Sequence, residues 1–247
     1  MPQLRCFSGL APDPRPFVRC PNLFQPPSCP HYHLAMVKSG VNQLEPASPA
    51  LRPVEICILA GGLSSRMGRD KSRLRLGRKT LLGHVRAVAL ETGWPVRIIR
   101  EDLVTRCGPL GGIVTALRTS RARFVMFLAC DMPFVSPRLL ERLWDTACRD
   151  ERGAFAVADK RVGFPCILPT SALATVESLV TAKRFSLQIL ATTLRSRRLS
   201  VQVSEALTLF NVNTPEDWAK ARQLLADRTA GLRPAAASRV QMRRGIG

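Results

Sequence analysis

The chain has 247 residues, is 46% hydrophobic and 22% charged, and carries a formal net charge of +19, with only six Lys among its 37 basic side chains. That length suits one large α/β domain or two small ones and is enough to bury a sizeable core. No run of about 18 apolar residues occurs, which leaves no candidate for a membrane-spanning helix. The positive charge is either an Arg bias on solvated faces or a field that draws polyanions such as nucleotides, and charge alone does not choose between them.

Residues 1–52 hold ten of the 19 prolines and show no sustained period. They read as disordered or loosely attached, and a start at Met36 would make 1–35 an upstream extension. The first residues lack an apolar h-region and are broken by Pro, so they do not resemble a signal peptide. "VEICILA" (54–60) is a short apolar run rich in β-branched residues and predicts a buried strand. It opens into Gly61-Gly62 and then "LSSRMGRDK" up to Lys71. Two glycines let the backbone turn sharply and aim its N–H groups at an anion. Arg66 and Lys71 are placed to close over phosphates, although a plain strand-turn-helix with solvated charges would look the same. This is not a P-loop, because Asp70 rather than Gly precedes Lys71.

"KTLLGHVRAVALE" (79–91) has helical spacing, and "PVRIIRED" (95–102) predicts a second strand ending in Glu101-Asp102. "GPLGGIVTALRTS" (108–120) is a turn entering a helix. "RFVMFLACDMP" (123–133) is the most apolar strand and ends in Asp131, where a lone carboxylate is costly unless paired or metal-bound. "SPRLLERLWDTACRD" (136–150) is a helix with Ser136 as N-cap and Pro137 at the first helical position. Strands follow at 154–159 and 164–169, then helices near 170–182 and 185–195. "LSVQV" and "LTLFNVN" read as strands, and "TPEDWAKARQLLAD" (214–227) as a last helix opening near a capping box. The tail 228–247 has five basic and no acidic residues and reads as disordered.

Strand-helix alternation over 53–227 predicts an α/β domain: a Rossmann-like three-layer sandwich with a mostly parallel sheet. In such sheets a ligand sits at the carboxyl ends of the strands. Three tips then converge there: Gly61-Gly62, Glu101-Asp102 and Asp131. Together they describe a nucleoside triphosphate whose metal, Mg2+, rests on Asp131. None of the eight Cys forms a C-x-x-C pair, and Cys57 and Cys130 read as buried free thiols, which fits a reducing cytoplasm. The three Trp and one Tyr do not interleave with basic residues, which argues against nucleic acid as the partner.

"LAGGLSSRMGRDK", "GPLGGIVTAL", "ACDMPFVSPRLLERL" and "FNVNTPEDWAKA" resemble, in order, four blocks of the molybdenum cofactor guanylyltransferase family, covering about 54–225. The resemblance implies a nucleotidyltransferase that moves GMP from GTP to Mo-molybdopterin. It implies that Leu59, Ala60 and Gly61 meet the guanine nucleotide, that Lys71 binds phosphate, that Asp102 helps bind GTP, and that Asp131 holds Mg2+. Asn211 and Asn213 fall in a segment near the pterin side. Molybdoenzymes or upstream cofactor proteins are the implied protein partners. One departure stands out. The family usually has an extra strand and helix before "RIIRED", and here only Thr92-Gly93-Trp94-Pro95 intervene. Two alternatives remain open: a cytidylyltransferase or other small nucleotidyltransferase on the same fold, and a relative that binds cofactor without transferring a nucleotide.

Overall fold

A computed structural model describes residues 52–61, 71–104 and 106–231. The stretch 1–51 and the tail 232–247 lie outside the described residues, as do Gly62 and Arg66. The elements in chain order are β1 (Arg52–Leu59), a 3-10 turn (Lys71–Arg73), β2 (Arg75–Leu76), β3 (Lys79–Thr80), α1 (Leu81–Glu91), β4 (Val96–Ile99), α2 (Pro109–Thr119), β5 (Ala122–Ala129) and α3 (Pro137–Asp150). There follow β6 (Ala154–Ala158), β7 (Arg161–Pro169), α4 (Leu173–Thr181), α5 (Leu187–Thr193), β8 (Arg197–Ser200), a 3-10 stretch (Val203–Leu209) and α6 (Pro215–Gly231).

Six strands form one sheet in the order β4-β1-β5-β7-β6-β8. β1 is parallel to both β4 and β5, β7 is antiparallel to β5 and to β6, and β8 is parallel to β6. Five strands therefore run one way and β7 runs against them, which makes the sheet mostly parallel, as the alternation predicts. β4 follows α1 directly, after the short Thr92–Pro95 connection, and forms one edge of the sheet.

The apolar runs are continuous because both faces are covered, and successive side chains point to opposite sides. Val54, Ile56 and Ile58 of β1, with Phe124, Met126 and Leu128 of β5, pack under α1 and α3. Cys57, Val125 and Phe127 face the other way, under α2, α4 and α5. Fully buried side chains such as Phe127 and Phe155 contribute about 1.5–3 kcal/mol each. A third, smaller cluster sits apart from the sheet. Leu76, Leu81, Phe134, Val212 and Ala221 are buried there, with Phe210, Trp218 and Leu225 against them.

Local signals explain the boundaries. Ser136 accepts a hydrogen bond from the Leu139 N–H at 3.3 Å, and Pro137 opens α3, as its sequence indicates. Thr80 caps α1 by accepting from the Gly83 N–H at 3.0 Å.

Six readings are corrected. The strand read over 95–102 is ordered as β4 only to Ile99, and the one read over 123–133 ends at Ala129. Residues 79–80 belong to a two-stranded hairpin with β2, before the helix begins. "LTLFNVN" is not a strand: its N–H groups go elsewhere, Val212 to the Asp131 carbonyl at 2.9 Å and Asn213 to the Asp217 carboxylate, while Phe210 and Val212 fill the third cluster. In "LSVQV" only the first two residues are in a strand, at the end of β8. Cys57, Cys107 and Cys166 are buried, whereas Cys130, read as buried from the sequence, is half-buried. No described helix is long and apolar enough to cross a membrane.

Candidate functional site

The register of the central strands sets the site. Leu59 lies beside Ile99 on one side and Ala129 on the other, so β4, β1 and β5 end level with one another. The ladder continues for one more residue: the Ala60 N–H donates to the Ile99 carbonyl at 2.8 Å and the Cys130 N–H to the Leu59 carbonyl at 3.2 Å. Neighbouring strands lie about 4.8 Å apart, so the residues just beyond, Gly61, Asp102 and Asp131, emerge on one edge of the sheet.

Gly61 is required by close approach. A Cβ there would fall 2.6 Å from the Arg100 carbonyl oxygen, and Asp102 Oδ1 lies 3.7 Å from the same point. Gly111 serves the same end from the other side. A Cβ on it would lie 2.5 Å from the Val104 carbonyl oxygen and 2.9 Å from Asp102 Oδ2. The glycines of "GPLGG" thus let the 102–104 loop and the Asp102 carboxylate lie on the first turn of α2, where the helix dipole favours negative charge. Burial nevertheless pushes the Asp102 carboxyl above its ordinary value.

Lys71 begins the 3-10 turn, with the Leu74 N–H bonded to its carbonyl at 3.1 Å and Ser72 buried beneath it. Its ammonium donates to Asn213 Oδ1 at 2.8 Å and stands 3.8 Å from Asp131 Oδ2. The second distance is beyond a hydrogen bond. Both side chains are mostly buried, at 16% and 20% exposure. Burial raises the Asp131 carboxyl above its ordinary value, and the nearby Lys71 charge opposes that shift without cancelling it.

The structure therefore joins Lys71, Asp131 and Asn213 in one polar cluster and sets Gly61 and Asp102 at the adjoining tips. Asn213, read from the sequence as a pterin-side residue, receives the Lys71 ammonium on its amide oxygen. Asn211 is exposed, and no hydrogen bond among the described residues ties it to the cluster. Gly62 and Arg66 lie outside the described residues. Sequence reasoning missed Asp217, whose Oδ2 accepts the Asn213 N–H at 2.9 Å and the Thr214 N–H at 3.0 Å. "TPED" carried that signal, but only as a helix cap.

Among the described residues no group of three or more His, Cys, Asp or Glu could hold a metal. Mg2+ does not need one. It binds through one or two carboxylates, with water and substrate phosphate supplying the rest. An under-solvated Asp131 carboxylate just past the tip of β5 fits that donor set.

Residues 56–102 and 86–196 match the family described as the MobA-like NTP transferase domain. The chain is 35% identical over 189 residues to a protein of Opitutus terrae named probable molybdenum cofactor guanylyltransferase, covering 67% of this chain and 93% of that one. It is 32% identical over 196 residues to a Pseudomonas putida protein named molybdenum cofactor guanylyltransferase, covering 68% and 96%. Among solved structures it resembles the molybdopterin-guanine dinucleotide biosynthesis protein A of Archaeoglobus fulgidus, with a TM-score of 0.58 at 22% identity over 70% of this chain and 99% of that one. It also resembles the 2-C-methyl-D-erythritol 4-phosphate cytidylyltransferase of Thermus thermophilus, with a TM-score of 0.53 at 18% identity over 70% and 98%. At those identities the likeness is one of fold, and the two proteins are named for different nucleotides.

Proposed function

The chain belongs to the MobA-like NTP transferase family of nucleotidyltransferases, and from that premise we propose that it transfers GMP from GTP to Mo-molybdopterin, releasing pyrophosphate and forming molybdopterin guanine dinucleotide. The observation that carries this reading is the meeting of Lys71 and Asp131, 3.8 Å apart, at the tip of β5 beside the Gly61 turn.

A terminal phosphate oxygen of the pterin would attack the α-phosphorus of GTP. The new P–O bond forms as the bond to pyrophosphate breaks, and the electron pair leaves on the pyrophosphate oxygen. A phosphate monoester is already anionic near neutral pH, so positioning and charge neutralisation matter more than a general base. Gly61 lets the nucleotide approach the β1 tip. Asp102, only acceptor-capable when ionised, receives hydrogen bonds from the base or ribose. Leu59 and Ala60 present backbone alongside. Lys71 offers a compact charge to the departing pyrophosphate; its ammonium has three donors and spends one on Asn213. Arg66 and the Gly62 N–H are assigned to the same phosphates from the sequence. Asp131 would hold Mg2+, which when bound offsets charge on the phosphate oxygens and polarises the phosphorus.

The test is incubation of the full chain with Mo-molybdopterin, Mg2+ and each of the four nucleoside triphosphates, following pyrophosphate and the dinucleotide product. GTP-dependent product supports the reading. Turnover with CTP alone replaces it with cytidylyl transfer, and nucleotide binding without product replaces it with a carrier role.

A further inference from the structure

We propose that Asp217 is the positioning residue of the cation site: through its hold on the Asn213 backbone it aims the Asn213 amide oxygen at the Lys71 ammonium and keeps that ammonium off Asp131. The inference rests on the reading above for what Lys71 is needed to do, but its geometry does not.

Asp217 stands in the first turn of α6, three residues after Thr214. Its N–H donates to Thr214 Oγ1 at 3.1 Å, and its Oδ2 accepts the Thr214 N–H at 3.0 Å. That reciprocal pair is a capping box and accounts for the helix start. The same oxygen also accepts the Asn213 N–H at 2.9 Å. This extra bond reaches outside the helix and does nothing for the cap. What it fixes is the residue whose side chain meets Lys71 at 2.8 Å, 142 positions away in the chain.

A neutral acceptor is needed there. Lysine has donors and no acceptor, so the Asn213 atom facing it is the amide oxygen, and that bond leaves the charge of the ammonium intact. The Asp131 carboxylate stands at 3.8 Å, poorly solvated and of opposite sign. In a partly buried site the attraction between such charges is several-fold stronger than in water. With Asn213 released, the ammonium would close onto Asp131 as a tight pair, and both groups would be withdrawn from phosphate and metal. Asp217 prevents that collapse while touching neither.

Acetylation of Lys71 by acetic anhydride in the ligand-free protein reads the ammonium directly by mass spectrometry, with the exposed Lys79, Lys160 and Lys183 as internal references. Asp217→Ala and Asn213→Ala each lower Lys71 labelling about fivefold or more, because the ammonium is then held by Asp131, and the double variant matches Asn213→Ala alone. Asp217→Asn, which keeps the side-chain shape, moves the rate the same way by less. Thr214→Ala, which removes the hydroxyl half of the cap and leaves the Asn213 anchor, keeps the wild-type rate. Labelling of Asp217→Ala at the wild-type rate overturns the proposal, as do effects that multiply in the double variant or a Thr214→Ala protein that behaves like Asp217→Ala. Wild-type protein that fails to transfer GMP while the labelling cycle comes out as stated removes the proposed reaction and leaves Asp217 in its role.

Discussion

The Asp102 and Asp131 carboxylates and the Lys71 ammonium are held by different parts of the molecule. Asp102 and Asp131 extend from β4 and β5, whose roots lie in the two large clusters that sandwich the sheet. Lys71 and Asn213 are carried by the 3-10 turn and the approach to α6, which rest on the small cluster of Leu76, Leu81, Phe134, Val212 and Ala221. The carboxylates are thus fixed by the scaffold that makes the fold, whereas the lysine is fixed by an accessory core that contributes little to the sheet. The difference teaches that stability and charge placement can be damaged separately.

Removing either side of the cleft gives the largest effect. Asp131→Ala and Lys71→Ala are each expected to lose about 100-fold or more in turnover, with circular dichroism and cooperative unfolding retained. Near-normal GMP transfer by either variant breaks the assignment for that region.

Leu76→Ala and Leu143→Ala probe the two cores with the same chemistry, since both leucines have 0% exposure. Each should cost about 2–5 kcal/mol in urea unfolding. At a temperature where both remain folded, only the Leu76 variant should lose turnover. Equal losses would end the separation of roles.

Gly111→Ala sharpens the scaffold side. Its new methyl would meet the Val104 carbonyl and Asp102 Oδ2, so the Asp102 carboxylate must move. We expect a rise of about tenfold in KM for GTP with a smaller change in kcat, measured by initial rates.

The smallest effect concerns Asp217. The Asn213 N–H, and after it the Thr214 donors, hold its carboxyl below the ordinary value near 3.8. A depressed carboxyl stabilises the fold fully above the unfolded value and loses that contribution as pH falls through the folded one. Asp217→Asn should therefore be less stable than wild type from pH 7 down to pH 5, by less than about 1 kcal/mol because the carboxylate is solvent-screened, and the gap should close as pH falls below about 4. Thermal melts across that range decide it, and a gap that widens in acid contradicts the sign.

Much of the scaffold is legible in the sequence because its signals are local. The apolar runs of β1 and β5, the Ser136-Pro137 start of α3 and the carboxylate after "FLAC" each announce themselves within a few residues. The accessory core does not. "LTLFNVN" has the composition of a strand, and nothing within it reveals that Val212 and Asn213 donate to Asp131 and Asp217. The partner of Lys71 is unreadable for the same reason: a hydrogen bond spanning 142 positions leaves no periodic trace. Asp102 is intermediate. Its identity points to the cleft, but the need for Gly111 beneath it emerges only when α2 is folded against the loop.

The Val212 N–H donating to the Asp131 carbonyl joins the last segment before α6 to the tip of β5. During synthesis every strand of the sheet leaves the ribosome before Asn213 does. A nascent chain can thus complete its sheet with its lysine still unclasped, and the Lys71–Asn213 bond forms only when the segment leading into the final helix docks. Proteolytic loss of α6 would by the same logic silence the enzyme while sparing most of its architecture.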